Sequence, residues 1–265
     1  MFRTVLLGAA NLDWRNRQVR LDQDGWLVLD GRETCSVRLG PEQRTRLLVV
    51  VVSPEEVQAA ITSPDAAVDA DAAAGGRIAI PAMAAGWPAG LVFADNLRSR
   101  DGPAGRRLLA IAQGRAAARP DPDERIQRIA LVRDAWAEEQ ALHRKAARFD
   151  CVKPATRQLL LRRILLAADF IASRHDEPIS LDEMARAASL SRFHFVRLFS
   201  LVHGETPHAF LRRKRTAVAR RHLAVGSACS EAASRAGFGS RSSLFRNLRK
   251  TALADAASGP CFPSA

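Results

Sequence analysis

The chain has few of the residues from which metal centres, disulfide frameworks and reactive sites are built. Its four cysteines, Cys35, Cys151, Cys229 and Cys261, lie far apart, and no two have CxxC spacing. Neither a metal site nor a disulfide framework is expected from them, and reduced thiols in a cytoplasm are the default. Before Cys151 the sequence holds a single histidine, His143. Cys35, the lone nucleophile candidate there, has no evident histidine partner, and His143 reads as a surface residue of a helix. No HExxH and no glycine-rich phosphate loop occurs. No catalytic residue, metal ligand or cofactor is expected, and an enzyme, such as a DNA-repair protein anchored by a DNA-binding domain, is the disfavoured reading.

Long apolar runs are scarce as well. Val5 to Ala10 is soon followed by Asp13 and Arg15, too short and too poorly flanked for a signal peptide. Ile78 to Ala94 carries no charge, but Pro81 and Pro88 interrupt it, and it falls short of the ~20 residues that a membrane span needs. The expectation is a soluble cytoplasmic protein with no membrane partner.

Basic charge is plentiful, and it is unevenly spread. The 265 residues carry a formal net charge of +12. From Cys151 onward there are 19 Lys+Arg against 8 Asp+Glu, whereas the preceding residues hold 21 against 20. A near-neutral half followed by a strongly basic one points to a polyanion partner for the second. Nucleic acid fits best, and an anionic membrane surface is the competitor.

Taken in order, residues 1 to about 53 read as strands. Trp26 to Leu29 precedes the turn pair Asp30-Gly31, Cys35 to Leu39 alternates, and Leu47 to Val52 is a β-branched run suited to a buried strand. This is too little for a complete roomy barrel and is compatible with a trimmed, cupin-like one. Pro54-Glu55-Glu56 starts a helix striped by Val57, Ala60 and Ile61. Residues 64–103, rich in Ala, Gly, Pro and Asp, read as irregular, and 104–117 as helical. Pro120 to Asp123 opens a long helix to about Phe149, with Ile126, Ile129, Ala130, Arg133, Trp136 and Ala137 on one face. That helix can pack on its own domain, pair with a second copy, or do both. Cys151 to Ala155 reads as a linker, and Thr156 to Arg174 as a helix buried through Leu160, Ile164, Ala167, Ala168 and Ile171.

The most informative stretch runs from Ser180 to Phe199. Leu181, Met184, Ala185 and Ala188 recur at i, i+3, i+4, i+7, one apolar helical face. Ser180 followed by Glu183 is a capping box. Ser189-Leu190-Ser191 breaks the helix, and Ser191 can cap the next one, which buries Phe195, Leu198, Phe199 and Val202. Two short helices joined by a three-residue turn make a helix-turn-helix. The second helix leaves Phe193, Val196, Arg197 and Ser200 on a face the core does not need, with Arg192 at its edge. Arginine there can give two hydrogen bonds to guanine, and the apolar pair can touch thymine methyls. The plainer alternative is a surface helix with ordinary arginines.

Gly204-Glu205-Thr206-Pro207 then stops one helix and starts another. The new helix carries Arg212, Arg213, Lys214, Arg215, Arg220 and Arg221, either a solvated basic face or phosphate anchors. A second copy of the pattern follows: Ser230 to Ala236 as a short helix, Gly237-Phe238-Gly239-Ser240 as the turn, and Arg241 to Lys250 as a second candidate recognition helix. Leu244 and Leu248 face inward. Arg241, Ser242, Phe245, Arg246 and Arg249 lie away from them.

These residues resemble the AraC/XylS family of bacterial transcription regulators. The resemblance is carried by Ile179 to Ala185, Leu190 to Phe199, Gly204 to Pro207, and Ala236 to Ser240 with Phe245-Arg246, and it spans about 156–250. It implies an α+β protein. An all-α, seven-helix DNA-binding domain with two helix-turn-helix units bridged by a long helix occupies 156–250. An N-terminal α+β domain for regulation or dimerisation occupies 1–150. On the family pattern Arg192, Phe193, Val196 and Arg197 form the first base-reading set, and Arg241, Ser242 and Arg246 the second. The implied partners are double-stranded DNA, a second copy of the chain, RNA polymerase, as for an activator, and a small-molecule effector.

The sequence departs from the family in three respects. Residues 251–265 replace the usual second Gly-x-Thr/Ser-Pro turn and closing helix, Ala232 stands where a larger apolar residue is usual, and the barrel is short. These departures leave a second reading open: a defective or antagonist relative that dimerises but binds DNA weakly.

Overall fold

A computed structural model describes residues 1–14, 17–29, 35–39, 44–62, 93–116, 123–151 and 153–257. The chain divides into two compact units, Met1–Asp169 and Phe170–Ala265.

In the first unit, β1 (Phe2–Leu7), β4 (Gly25–Val28), β6 (Arg46–Val50) and β7 (Arg98–Ser99) form an antiparallel sheet in the order β6-β1-β4-β7. β2 (Ala9–Trp14), β3 (Arg17–Asp22) and β5 (Ser36–Leu39) form a second, in the order β3-β2-β5. The apolar run at Val5 to Ala10 is where the chain leaves one sheet and enters the other. Trp26 and Val28 face a core built with α1 (Pro54–Thr62), α2 (Pro103–Ala116) and α3 (Glu124–Ala146) through Val57, Leu108, Ile111, Leu131, Val132 and Ala135. Leu27 and Leu29 face the opposite way, into a core shared with Leu12, Trp14, Val19 and Leu21 of the second sheet. β4 is therefore buried on both faces, which is why Trp26 to Leu29 reads as an unbroken apolar run rather than an alternating one. The α+β class holds, and the trimmed barrel takes the form of two small sheets sharing an apolar layer, with helices over the outer face of one.

The helix starts follow their local chemistry. Ser53 and Glu56 cap α1 reciprocally: the Glu56 N–H donates to Ser53 Oγ at 3.3 Å and the Ser53 N–H to Glu56 Oε2 at 2.9 Å. Residues 63–92, most of the stretch expected to be irregular, lie outside the described residues, as do Pro120 to Pro122. Two residues of the same stretch, Arg98 and Ser99, are β7 rather than irregular.

The buried face of α3 follows expectation only in part, with Ile129 and Trp136 packed against the core. Leu131, Val132, Ala135, Glu139 and Ala146 are buried, while Ile126 is 62% exposed. A carboxylate in the middle of the buried stripe displaces the apolar pattern. Arg98 Nη2 donates to Glu139 Oε2, which also accepts the Ala94 N–H at 3.1 Å. α4 (Pro154–Ser173) begins two residues earlier than expected, with Pro154 in its first turn. The two units divide inside it, between Asp169 and Phe170. On the first-unit side Asp169 is buried and accepts from Arg17 Nη2 at 2.6 Å and the Leu97 N–H at 2.9 Å, which ties β3 to α4.

The second unit is helical: the end of α4, then α5 (Leu181–Ala187), α6 (Arg192–His203), α7 (Pro207–Ala224), α8 (Cys229–Arg235) and α9 (Arg241–Ala257). Among the described residues, six helices from α4 to α9 stand where the resemblance implies seven. α9 runs through 251–257 as one continuous helix instead of breaking and closing with another. No helix among the described residues is long and apolar enough to cross a membrane.

Candidate DNA-binding interface

The first helix pair is set by its ends. Ser180 caps α5 in a reciprocal box: the Glu183 N–H donates to Ser180 Oγ at 3.3 Å, and the Ser180 N–H to Glu183 Oε2 at 2.8 Å. Hydrogen bonding to Ser180 holds the Glu183 carboxyl below its ordinary pKa. The turn closes with Ser189 at φ 52 and with the Leu190 N–H bonded back to the Ala185 carbonyl at 3.0 Å, a Schellman closure made without glycine. Ser191 Oγ then accepts the His194 N–H at 3.4 Å and starts α6. Gly204, at φ 76, ends α6, and Thr206 with Pro207 starts α7.

Packing fixes which face of α6 is left over. Met184, Ala185, Ala188, Phe195, Leu198, Phe199 and Val202 are all buried. Phe199 meets Phe195 at 5.3 Å and Phe210 of α7 at 5.5 Å between ring centroids. Burying each phenyl ring contributes about 1.5–3 kcal/mol, so rotating α6 to hide its other face would cost more than the arginines could return. The face so exposed carries Arg192, Phe193 and Arg197, with Val196 half-buried. Phe193 is 81% exposed, an unusual position for a large apolar side chain that no core contact requires. Both oxygens of Asp182 engage Arg192, Oδ1 with Nε and Oδ2 with Nη2. That contact lowers the Asp182 pKa and raises that of Arg192.

The second pair repeats the plan on smaller residues. Ala232, Ala233 and Ala236 of α8 and its end pack with Val218, Ala219, Phe238 and Leu244. Ala232 is fully buried, so the residue that departs from the family pattern is a core residue here. Gly237 takes the place of Ser189, at φ 76, and the Phe238 N–H returns to the Ala233 carbonyl at 2.9 Å. Ser240 Oγ accepts the Ser243 N–H at 3.1 Å and starts α9. Arg241, Ser242, Phe245 and Arg246 are exposed, while Leu244 is buried. The expected second reading set therefore lies together on one open face, and so does the first.

One difference between the pairs is local. The N-cap position of α8 is Ala228, which offers no side-chain hydrogen bond. Replacing Ala228 with Asp is expected to stabilise the second unit by about 1 kcal/mol, read as a rise in the midpoint of chemical denaturation followed by far-ultraviolet circular dichroism.

The basic helix α7 separates into roles the sequence could not distinguish. Arg215 donates through Nε to the His175 carbonyl at 2.6 Å and through Nη2 to the Glu177 carbonyl at 2.7 Å, with burial lowering its pKa. It is a tie to the segment after α4. Arg213 pairs with Glu205 at 2.8 Å and lies over Phe210 at 5.0 Å. Arg212 and Arg220 are exposed. Asp182, which no composition argument marks out, is detectable in the sequence only as the second residue of the helix preceding Arg192.

A family model described as a helix-turn-helix domain matches residues 184–253, from α5 through both pairs into α9. The match is to a helix-turn-helix model of the AraC type. No curated protein matches the chain. Two solved structures are similar in outline: ToxT from Vibrio cholerae strain SCE256 bound to an unsaturated fatty acid, and the apo form of a ToxT lysine-to-alanine variant from the same strain. The first is 10% identical with a TM-score of 0.35, over 94% of this chain and 82% of that one. The second is 9% identical with a TM-score of 0.32, over 94% and 83%.

Proposed function

We propose that the protein is a sequence-specific transcription regulator in which α6 and α9 both enter the major groove of double-stranded DNA, in successive segments. The observation that carries this reading is the repeated exposed face: an arginine at the first helical position and another five residues on, Arg192 and Arg197 in α6, Arg241 and Arg246 in α9. Arg192, Phe193, Val196 and Arg197 read the first segment. Arg241, Ser242 and Arg246 read the second. Arg212 and Arg220 hold phosphates. The first unit, through its apolar cores, serves regulation by dimerisation, by a small-molecule effector, or by both, and RNA polymerase is the partner expected of an activator.

The test is fluorescence anisotropy of the full chain on duplexes it selects from a randomised pool. Affinity is expected to fall steeply and linearly in log–log form with salt. Arg197→Ala is expected to weaken specific binding by about 1–3 kcal/mol while leaving binding to unrelated duplexes nearly unchanged. Equal loss on every duplex would reassign Arg197 to the phosphate backbone. The antagonist reading makes a different prediction for the second unit: Arg246→Ala would leave specific affinity unaltered. On the two-unit reading it costs as much as Arg197→Ala.

A further inference from the structure

We infer that Asp182 is a positioning residue that sets base specificity in the first helix-turn-helix by holding Arg192 in a guanine-reading pose. The inference rests on the DNA-reading role of α6. Asp182 is the second residue of α5 and Arg192 the first of α6, so the turn between the helices brings carboxylate and guanidinium together. Both carboxylate oxygens are used, on Nε and Nη2. A guanidinium carries five N–H groups in a rigid fork. With its Nε side occupied, the edge formed by Nη1 and Nη2 still has one parallel N–H on each nitrogen. That edge matches O6 and N7 of guanine. The Arg192 side chain is 65% exposed, so the pair is oriented by the protein without being covered by it.

Two consequences follow from the chemistry. An arginine already held loses less side-chain freedom on binding than a free one, which favours its intended base. The carboxylate beside it carries a charge of the same sign as DNA, which disfavours any pose in which Arg192 leaves Asp182 for a phosphate. The second unit lacks this device. Arg241 holds the first position of α9, and the second position of α8 is Ser230, which has no carboxylate to offer. The first segment of the site is therefore expected to require its guanine more strictly than the second.

The experiment uses the full chain, a duplex selected by the wild type from a randomised pool, and the set of its single base-pair substitutions. Asp182→Asn is expected to reduce discrimination against substitution at one guanine of the first segment about tenfold, while affinity for unrelated duplexes stays level or rises. Arg192→Lys, which keeps the charge but not the fork, is expected to affect the same base pair. In an Arg192→Ala background Asp182→Asn is expected to have no further effect on discrimination. A uniform shift on all duplexes with discrimination intact, or an Asp182→Asn effect that persists without Arg192, overturns the inference and leaves the regulator reading standing. A wild type that selects no sequence overturns both.

Discussion

Gly237→Ala is expected to destabilise the second unit by about 3 kcal/mol. Two costs act together. Gly237 sits at φ 76, where an L side chain costs about 1–2 kcal/mol. An added Cβ would also stand 2.5 Å from the His175 carbonyl oxygen and 2.8 Å from Asp176 Cα. These neighbours are backbone, fixed in turn by Arg215, so they cannot swing aside as a flexible side chain would, and overpacking of this kind costs about 1–3 kcal/mol. The measurement can be confined to the right unit because all four tryptophans, Trp14, Trp26, Trp87 and Trp136, precede Cys151. Tryptophan fluorescence follows the first unit alone, whereas circular dichroism follows helices in both. The expected result is an unfolding transition by circular dichroism that moves to lower denaturant, with the fluorescence transition unmoved. Ser189→Gly at the equivalent turn is the control, expected to be neutral or mildly stabilising because the backbone there is already left-handed. A wild-type transition for Gly237→Ala would mean that the turn of the second pair is looser than its geometry implies.

What the sequence made legible is what local chemistry decides. Ser180 with Glu183, Ser191, Gly204 with Pro207, and Gly237 each act on residues within four or five positions, so helix ends in the second unit are readable from spacing alone. The exposed arginine faces are legible for the same reason: once Phe195, Phe199 and Leu244 are assigned inward, the arginines have only one side left. The first unit resists because its organising contacts are distant. β1 to β3 form one continuous stretch of mixed residues that divides between two sheets at Gly8, and nothing in the local pattern marks the change of sheet. On α3 the expected stripe holds at Ile129 and Trp136, which pack against the core, but not at Ile126, and it omits Glu139, because a buried carboxylate looks like a solvent-facing one until its partner is known. Arg215 was indistinguishable from its basic neighbours for the reason that its partners are carbonyl oxygens 38 and 40 positions back. Asp182 belongs to the same class: its contact is with a residue ten positions away in a different helix.

Glu139→Ala is expected to destabilise the first unit by about 3–5 kcal/mol. The Glu139 and Arg98 side chains are only 1% and 4% exposed, and Arg98 also lies over the Trp26 ring at 5.6 Å. Removing the carboxylate leaves a guanidinium in the core beside Trp26 without its hydrogen-bonded partner, and leaves the Ala94 N–H without its acceptor. Burial alone would raise the Glu139 pKa. The His143 contact at 3.3 Å, the Arg98 charge and the Ala94 N–H outweigh it and hold the carboxyl below its ordinary value. A carboxyl whose pKa is lower folded than unfolded contributes stability that is complete above the unfolded value of about 4.3 and disappears as pH falls through the folded one. The tryptophan-detected midpoint of the wild type is therefore expected to drop below about pH 4, and that part of the drop should be absent in Glu139→Ala. Removing both charges separates the cost of an orphaned ion from the worth of the pair. Arg98→Met with Glu139→Leu is expected to recover most of the lost stability, because apolar replacements of similar volume dispense with desolvating two ions. If the single and double variants were equally unstable, the loss would come from the Ala94 and His143 contacts to Glu139 rather than from an Arg98 guanidinium left without its hydrogen-bonded partner.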